Sequence, residues 1–193
     1  MAKKLESTFI NMVLVLFLVT AVAALALGAV YSVTKEPIEA AKAQKLKAAI
    51  ENVLPPFDDY SEAEVMPANG KDPLIFYTAR KGQDVVGTAI KTYTDKGFSG
   101  RVSIMVGFTP EGEIFNTAVL EHKETPGLGD KMEPAKSDFT VQFKGKNPEQ
   151  FKLKVTKDGG SVDAITAATI SSRAFCDATN RAWQAFKVEG GKQ

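Results

Sequence analysis

The feature that most constrains this chain is an uncharged stretch of 28 residues, positions 7 to 34. Positions 9 to 31 are apolar on all sides of a helix, without a polar stripe at a 3.6-residue repeat. A helix of that length spans roughly 35 Å, enough to cross the hydrocarbon layer of a bilayer. This apolar stretch is longer than the core of a secretory signal peptide, which has about 7–15 apolar residues. Cleavage remains the alternative, because small residues such as those of Ala24-Leu25-Ala26 could form a cleavage site. The sequence predicts an uncleaved membrane anchor.

Lysines flank this anchor on both sides. Lys3 and Lys4 beside the amino terminus favour a cytoplasmic N-terminus. Lysines on the far side argue the other way, namely Lys35, Lys42, Lys45 and Lys47. Because a long domain is translocated largely regardless of its charges, we give the first pair more weight. We expect a single-pass protein of the bacterial inner membrane with its C-terminal domain on the periplasmic side.

The rest of the chain excludes several classes of function by composition. Positions 35–193 carry 22 basic and 22 acidic side chains, so this part has no net charge to attract a polyphosphate, and nucleic-acid binding is disfavoured. A single cysteine, Cys176, excludes an intrachain disulfide and a cysteine-rich metal site. A single histidine, His122, excludes a multi-histidine metal centre. The sequence also lacks a phosphate-binding P-loop, a dinucleotide-binding glycine motif and a nucleophile elbow, so we predict no catalytic residues and no metal.

Helical and alternating patterns together predict an α+β domain with a mostly antiparallel sheet and flanking helices. An amphipathic helix from about residue 36 to 53 begins near Thr34 and Pro37 and ends at Pro55-Pro56. Six strands are predicted, with a hairpin turn at 109–112: Leu74–Ala79, Asp84–Tyr93, Arg101–Phe108, Ile114–Leu120, Phe139–Phe143 and Phe151–Val155. The acidic residues 58–64 suggest a solvated loop, and residues 170–187 suggest a final helix. The expected divisions are 1–34 (tail and anchor), 35–56 (connecting helix) and 57–193 (the domain).

Two segments carry candidate chemistry, and the first is the stretch from His122 to Asp130. Thr125-Pro126-Gly127-Leu128 has Pro and Gly in the middle of a predicted type II turn. Gly129 then lets the backbone turn again and leaves its amides uncovered. Such amides can cup an anion or lie against a planar ligand. The alternative is an ordinary surface connection.

The second segment, residues 163–172, lies at the start of the final helix. Thr166, Thr169 and two serines are hydroxyls that could simply cap this helix. Ala167 and Ala168, however, leave the Thr169 hydroxyl with small neighbours. A phosphate esterified there would face the N-terminal amides of the helix, which favour an anion. Thr169 is therefore a chemically sensible anchor for a phosphorylated cofactor.

Together the two segments carry a resemblance to a known family. Residues 163–169, Asp-Ala-Ile-Thr-Ala-Ala-Thr, resemble the Asp-x-x-Ser/Thr-Gly-Ala-Thr flavinylation signature of the FMN-binding domain family. The His-x-Glu-Thr-Pro-Gly-Leu-Gly stretch, the single anchor and the chain length are similar to the G subunit of Rnf electron transport complexes. The resemblance implies FMN joined to Thr169 by a phosphoester bond, in an electron-relay subunit of a ferredoxin:NAD oxidoreductase that pumps ions. It also implies other membrane subunits and a flavin transferase as partners.

The same resemblance assigns roles to the neighbouring residues. Thr166 and the backbone of Ala167 and Ala168 would line the phosphate. The turn residues Thr125, Gly127 and Leu128 would approach the flavin, and Asp163 would belong to the sequence that the flavin transferase recognises. The chain departs from the signature at Ala167, where the family has glycine; alanine would cost on the order of 1 kcal/mol or more if that position needs a positive φ.

Three alternatives stay open at this point. The motifs also fit the C subunit of the sodium-translocating NADH:quinone reductase, although the compact length and residues 97–108 look more like the Rnf protein. A membrane-anchored interaction domain without flavin would agree with the departure at Ala167. A free-standing flavin reductase would need a substrate pocket and a nicotinamide site, for which the sequence gives no sign.

Overall fold

The computed structural model describes residues 7–67 and 70–190, so the predicted role of Lys3 and Lys4 lies outside the described residues. The chain divides into two units, Met1–Gln44 and Lys45–Gln193. The first helix, α1, is Phe9–Val53, and Pro37 lies inside it. Thr34 does not cap a new helix, since its hydroxyl donates back to the Val30 carbonyl at 2.8 Å. The expected helix start at Pro37 is therefore wrong.

The described part of the first unit is most of α1 and includes its apolar stretch. Its large side chains are exposed from Phe9 to Val33, with no part of the described chain covering them. Among the described residues this is the one helix long and apolar enough to cross a membrane, judged by length and composition. An uncovered apolar helix is the arrangement expected of a membrane span.

The second unit is built on a five-stranded antiparallel sheet in which each strand pairs with the next along the chain. The strands are β1 Asp59–Val65, β2 Leu74–Lys81, β3 Asp84–Gly97, β4 Gly100–Phe108 and β5 Ile114–Glu121. Helix α2, Thr169–Gly190, follows a long irregular segment with three short 3-10 helices. The α+β class, strands β2 to β5, the 109–112 turn and the final helix are confirmed.

Three local predictions are wrong. Residues 59–65 form β1 rather than a loop. The predicted strand Phe139–Phe143 is a 3-10 helix. The predicted strand Phe151–Val155 pairs with no strand and makes one isolated bridge, between Val155 and Val162. In the last two segments the pattern of apolar residues was present, but the hydrogen-bonding partner that defines a strand could not be inferred from it. In β1 the exposed, acidic composition concealed the strand.

Both faces of the sheet are covered. Helix α2 packs on one face, where Phe175 and Trp183 join the core side chains of β3 and β4. The C-terminal turns of α1 pack on the other face, where Ile50 and Val53 contact the β4 side. Gly107 makes this possible because a Cβ there would overlap the Val53 carbonyl. Burial on both faces fixes the register of the sheet and hence the positions of the loops at its ends.

Candidate functional site

A cavity of about 280 Å³ lies where three segments of the second unit converge. The turn between β3 and β4 contributes Phe98, the loop after β5 contributes residues 124, 125, 128 and 129, and the start of α2 contributes residues 167–171. The structure thus brings together the two segments that the sequence singled out, although Thr125 and Thr169 lie 44 positions apart. The lining residues are Phe98, Glu124, Thr125, Leu128, Gly129, Ala167, Ala168, Thr169, Ile170 and Ser171.

The loop after β5 contains the predicted type II turn. The Leu128 amide donates to the Thr125 carbonyl at 3.1 Å, and Gly127 has φ +78°, as the third position of such a turn requires. Gly129 serves a different purpose: a Cβ there would overlap Ser171 Oγ and lie 2.7 Å from Glu124 Oε2. The second glycine therefore lets the loop approach α2 closely.

His122 holds the beginning of this loop. Its Nδ1 accepts the Glu124 amide at 3.1 Å, and its Nε2 lies 2.7 Å from Glu133 Oε1. Because Nδ1 is an acceptor, these partners assign the tautomer with the proton on Nε2, which donates to Glu133. The imidazole thus joins the loop to the segment after the first 3-10 helix, Gly129–Met132.

An ion-pair cluster supports the same region. Lys136 Nζ lies 3.1 Å from Asp130 Oδ2 and 3.2 Å from Glu133 Oε2. Burial raises the pKa of Asp130, but the Lys136 ammonium, together with the Gly127 amide and His122, lowers it more and leaves that pKa below its ordinary value. Burial likewise raises the pKa of Glu133, and its bonds to His122 and Lys136 lower it further than burial raises it. Both carboxylates are therefore charged and anchored at neutral pH.

Thr169 is the first residue of α2 and is partly exposed. The first helical hydrogen bond runs from the Ser172 amide to the Ala168 carbonyl at 3.0 Å, so the amides of residues 169–171 precede the ladder and face the free end of the helix. No described residue is hydrogen-bonded to the Thr169 hydroxyl. Ser172, by contrast, accepts the Ile165 amide at 2.9 Å. Ser172 thus fixes the segment that precedes α2, and the Thr169 hydroxyl is left available.

Ala167 has φ +62° and is the one described non-glycine residue with a positive φ. This conformation brings Cβ close to the following carbonyl and costs roughly 1–2 kcal/mol for an alanine. The departure from the family signature is therefore a strained position. The Ala167 side chain is exposed, so the added methyl meets solvent.

Glu124 connects all three segments of the cavity. Its carboxylate is 5% exposed, with Oε1 accepting the Ser99 amide at 3.0 Å and Oε2 accepting the Ser171 hydroxyl. Both oxygens are acceptors, as expected of an ionised carboxylate. The loop, the β3–β4 turn and the start of α2 are therefore held together through one side chain.

The predicted site residues fall into two groups. Thr125, Leu128, Ala167, Ala168 and Thr169 line the cavity. Gly127, Thr166 and Asp163 are not among its lining residues. The Asp163 side chain is exposed, and its backbone is fixed by Gln142, whose Oε1 accepts the Asp163 amide at 2.8 Å.

Sequence reasoning missed two lining residues with distinctive environments. Phe98 is 66% exposed at the tip of the β3–β4 hairpin, and Glu124 is almost fully buried. An aromatic residue between two glycines in a tight turn is the signal that could have identified Phe98. Cys176 is buried on α2 as expected, and burial raises the pKa of its thiol to about 12.

The residues present fit a flavin mononucleotide. The cavity is close in size to ordinary small-ligand pockets, and its lining combines apolar side chains with the small residues Gly129, Ala167 and Ala168, which leave room for a flat ring. The uncovered amides of α2 provide the anion site that a phosphate needs. The hydroxyl that would accept the phosphate stands at that helix end.

Comparisons with known proteins identify the family of this chain. Residues 97–184 match the FMN-binding domain family. Proteins named as the G subunit of an ion-translocating oxidoreductase complex are similar over most of their length. The one from Erwinia tasmaniensis is 38% identical over 78% of this chain and 76% of its own. Those from Cronobacter sakazakii and Haemophilus influenzae are 36% and 34% identical, each over 79% of this chain and 78% and 77% of their own. The chain therefore belongs to the family of G subunits of ion-translocating oxidoreductase complexes, and it contains an FMN-binding domain.

Proposed function

We propose that this chain is the electron-relay subunit of a membrane-bound, redox-driven ion-translocating complex of the ferredoxin:NAD oxidoreductase type, with FMN attached covalently to Thr169. The observation that carries the proposal is the convergence of the 122–130 loop and the start of α2 on one cavity, with the Thr169 hydroxyl at its edge. The relatives' shared name, which specifies the G subunit, favours this complex over the sodium-translocating NADH:quinone reductase. Such a protein acts within its complex and is not expected to turn over alone.

The attachment would use the chain's own groups in a simple way. Thr169 Oγ1 would be joined to the FMN phosphorus, with the net loss of one water relative to free FMN. The amides of residues 169–171 would hold the phosphate oxygens, with Thr166 and the Ala167-Ala168 backbone beside them. Thr125, Gly127 and Leu128 would face the ring, and the exposed Asp163 would be available to a flavin transferase.

The bound flavin supplies one- and two-electron redox chemistry, and the protein supplies attachment, orientation and electrostatics. The described residues around the cavity would hold the ring against its wall rather than supply a general acid or base. A covalent bond prevents loss of the cofactor outside the cytoplasm. The membrane-spanning part of α1 keeps the domain at the membrane surface, where the other subunits of the complex would exchange electrons with it.

The test is the intact mass of the full-length protein from its native host, with Thr169→Ala beside it. We expect a wild-type increment of one FMN less one water, lost in the variant. Thr156→Ala is the matched control, because it removes an exposed threonine hydroxyl outside both the signature and the cavity lining and should keep the increment. An increment that survives in Thr169→Ala would place the bond elsewhere.

One specific observation favours a second candidate, a membrane-anchored interaction domain without flavin. Ala167 has a strained φ of +62° within the flavinylation signature. An unmodified wild-type mass, in a host with an active flavin transferase that modifies the Ala167→Gly variant, would favour this second candidate.

The proposed location is the periplasmic side of the bacterial inner membrane. The support is the lysine pair ahead of the apolar span and the general translocation of long following domains. Protease added to spheroplasts should digest the C-terminal domain. Protection of the domain until the membrane is opened would place it in the cytoplasm.

A further inference from the structure

We propose that Phe98 is a flavin-contacting residue, whose ring stacks on one face of the isoalloxazine when FMN is held at Thr169. This inference rests on the proposed function and extends it to a residue outside both sequence motifs. Phe98 lines the same cavity as Thr125 and Thr169, but it comes from a different part of the fold, the β3–β4 hairpin.

The exposure of Phe98 is the first observation. Its side chain is 66% exposed although it borders a cavity, and it makes no ring contact with another described aromatic residue. The other apolar side chains at the cavity are also partly exposed, Leu128 at 40% and Ile170 at 45%. Apolar groups exposed together around a cavity mark a ligand surface. Aromatic rings in particular favour offset stacking on another flat ring.

The fixed position of the hairpin tip is the second observation. Phe98 and Ser99 form a two-residue turn between the paired Gly97 and Gly100. The Ser99 amide donates to Glu124 Oε1 at 3.0 Å, which ties the turn to the loop that would face the flavin. A Cβ at Gly97 would overlap the Gly100 carbonyl and lie 2.7 Å from Glu124 Oε1. The backbone that carries Phe98 is therefore held against the cavity wall.

The glutamate that holds Phe98 also holds the flavin attachment site. Through its other oxygen, Glu124 accepts the hydroxyl of Ser171, two residues after Thr169. The distance between the hairpin tip and the start of α2 is thus set by a single buried carboxylate. Phe98 and Thr169 line the same cavity, so a ring tethered at Thr169 and lying in the cavity would meet Phe98.

A tryptophan in contact with a flavin quenches the flavin fluorescence by electron transfer. Flavin fluorescence therefore reports whether residue 98 touches the ring. The full-length protein, purified in detergent from a host with the flavin transferase, is compared as Phe98→Trp and Phe115→Trp. Phe115 lies on β5, beside the end of β4 that is farther from Phe98, and is about 25 Å from Phe98 by strand length. The native Trp183 packs against Phe108, also at that far end. We expect severalfold weaker flavin fluorescence in Phe98→Trp alone. Equal fluorescence per flavin in the two variants overturns the proposal.

A second readout does not depend on the introduced tryptophan. Iodide should quench the flavin of Phe98→Ala more strongly than that of wild type, because one face of the ring becomes open to solvent, whereas Phe115→Ala should leave quenching unchanged. Unchanged quenching in Phe98→Ala contradicts stacking.

Intact mass separates this inference from the proposed function. If the wild type carries no covalent flavin, the attachment to Thr169 fails, and titration with free FMN tests Phe98 by itself. Weaker binding by Phe98→Ala than by wild type then supports the contact, and equal binding overturns it.

Discussion

The hydroxyl of Ser171 donates a hydrogen bond to Oε2 of Glu124, which joins the first turn of α2 to the loop after β5. Both groups are buried, Ser171 at 2% and Glu124 at 5% exposure. A buried hydrogen bond to a carboxylate contributes about 1.5–3 kcal/mol, and its loss leaves a desolvated charge with fewer partners. This bond determines how closely the two motifs of the cavity approach each other.

The first prediction is a coupling energy between these two residues. In a double-mutant cycle of Glu124→Ala and Ser171→Ala, we expect coupling of about 1–2 kcal/mol in the free energy of unfolding. The measurement is urea unfolding of the full-length chain in detergent, followed by the fluorescence of Trp183, the one tryptophan. Ser172→Ala is the matched control, because Ser172 bonds to Ala168 and Ile165 instead. Coupling as large for Ser172 as for Ser171 would contradict the assignment.

The second prediction concerns the strained alanine. Ala167→Gly should raise the free energy of unfolding by about 1 kcal/mol, because glycine adopts a φ of +62° without the Cβ repulsion. The covalent flavin should be retained or increased in yield.

Ala168→Gly is the control for this effect. Ala168 is buried at 7% and is not among the described positive-φ residues, so glycine there loses packing and adds backbone freedom. We expect the stability to fall by about 1 kcal/mol. If both substitutions shift stability in the same direction, strain at Ala167 is not the cause.

Much of the fold was predictable because most of its strands contain buried residues that repeat along them. Strands β2 to β5 all contain such residues. Strand β1 was missed because nearly all of its side chains are exposed, and only its backbone pairing with β2 defines it. An exposed acidic edge strand has the same composition as a solvated loop.

The segment 139–143 was predicted as a strand because its pattern fits two structures. Phe139 and Phe143 are buried while Val141 is 61% exposed, which satisfies a two-residue alternation. The same two phenylalanines are also four apart, the spacing of one helical face. Only the packing of both rings against Phe175 on α2 distinguishes the helical solution.

The candidate site was predictable only in part, for a similar reason. The turn at Thr125–Leu128 and the hydroxyl at Thr169 follow from local residue types. The contribution of Phe98 and the bridging role of Glu124 depend on how β3 and β4 end beside α2, which local sequence does not contain.

The third prediction is a dependence of stability on pH through Asp177. Its Oδ1 lies 2.6 Å from Lys96 Nζ and its Oδ2 accepts the Thr94 hydroxyl at 2.7 Å, with Arg181 at 3.8 Å. Burial raises the pKa of Asp177, but Lys96 and Thr94 lower it more, so the folded-state pKa lies below its ordinary value. Its stabilisation is therefore fully present above about pH 4 and is lost as the pH falls through the folded-state pKa.

Asp177→Asn should accordingly lower the free energy of unfolding by about 1–2 kcal/mol at pH 7. The difference from wild type should shrink as the pH is lowered from about 4 towards 2. Asp84→Asn, at the exposed start of β3, is the control and should change little. If the difference in free energy of unfolding between Asp177→Asn and wild type stays constant across this acid range, Asp177 is not the group involved.

The fourth prediction separates the two glycines of the loop. The methyl group added by Gly127→Ala meets no atom within 4 Å, but the alanine must adopt φ +78°. The methyl group added by Gly129→Ala would overlap Ser171 Oγ. Both should lower the free energy of unfolding by about 1 kcal/mol or more, the first by backbone strain and the second by overpacking. Only Gly129→Ala should also abolish the coupling between Glu124 and Ser171, because the added methyl pushes the loop away from α2. Repeating the double-mutant cycle in each background checks this, and coupling that persists in Gly129→Ala would mean that the loop approaches α2 without needing glycine there.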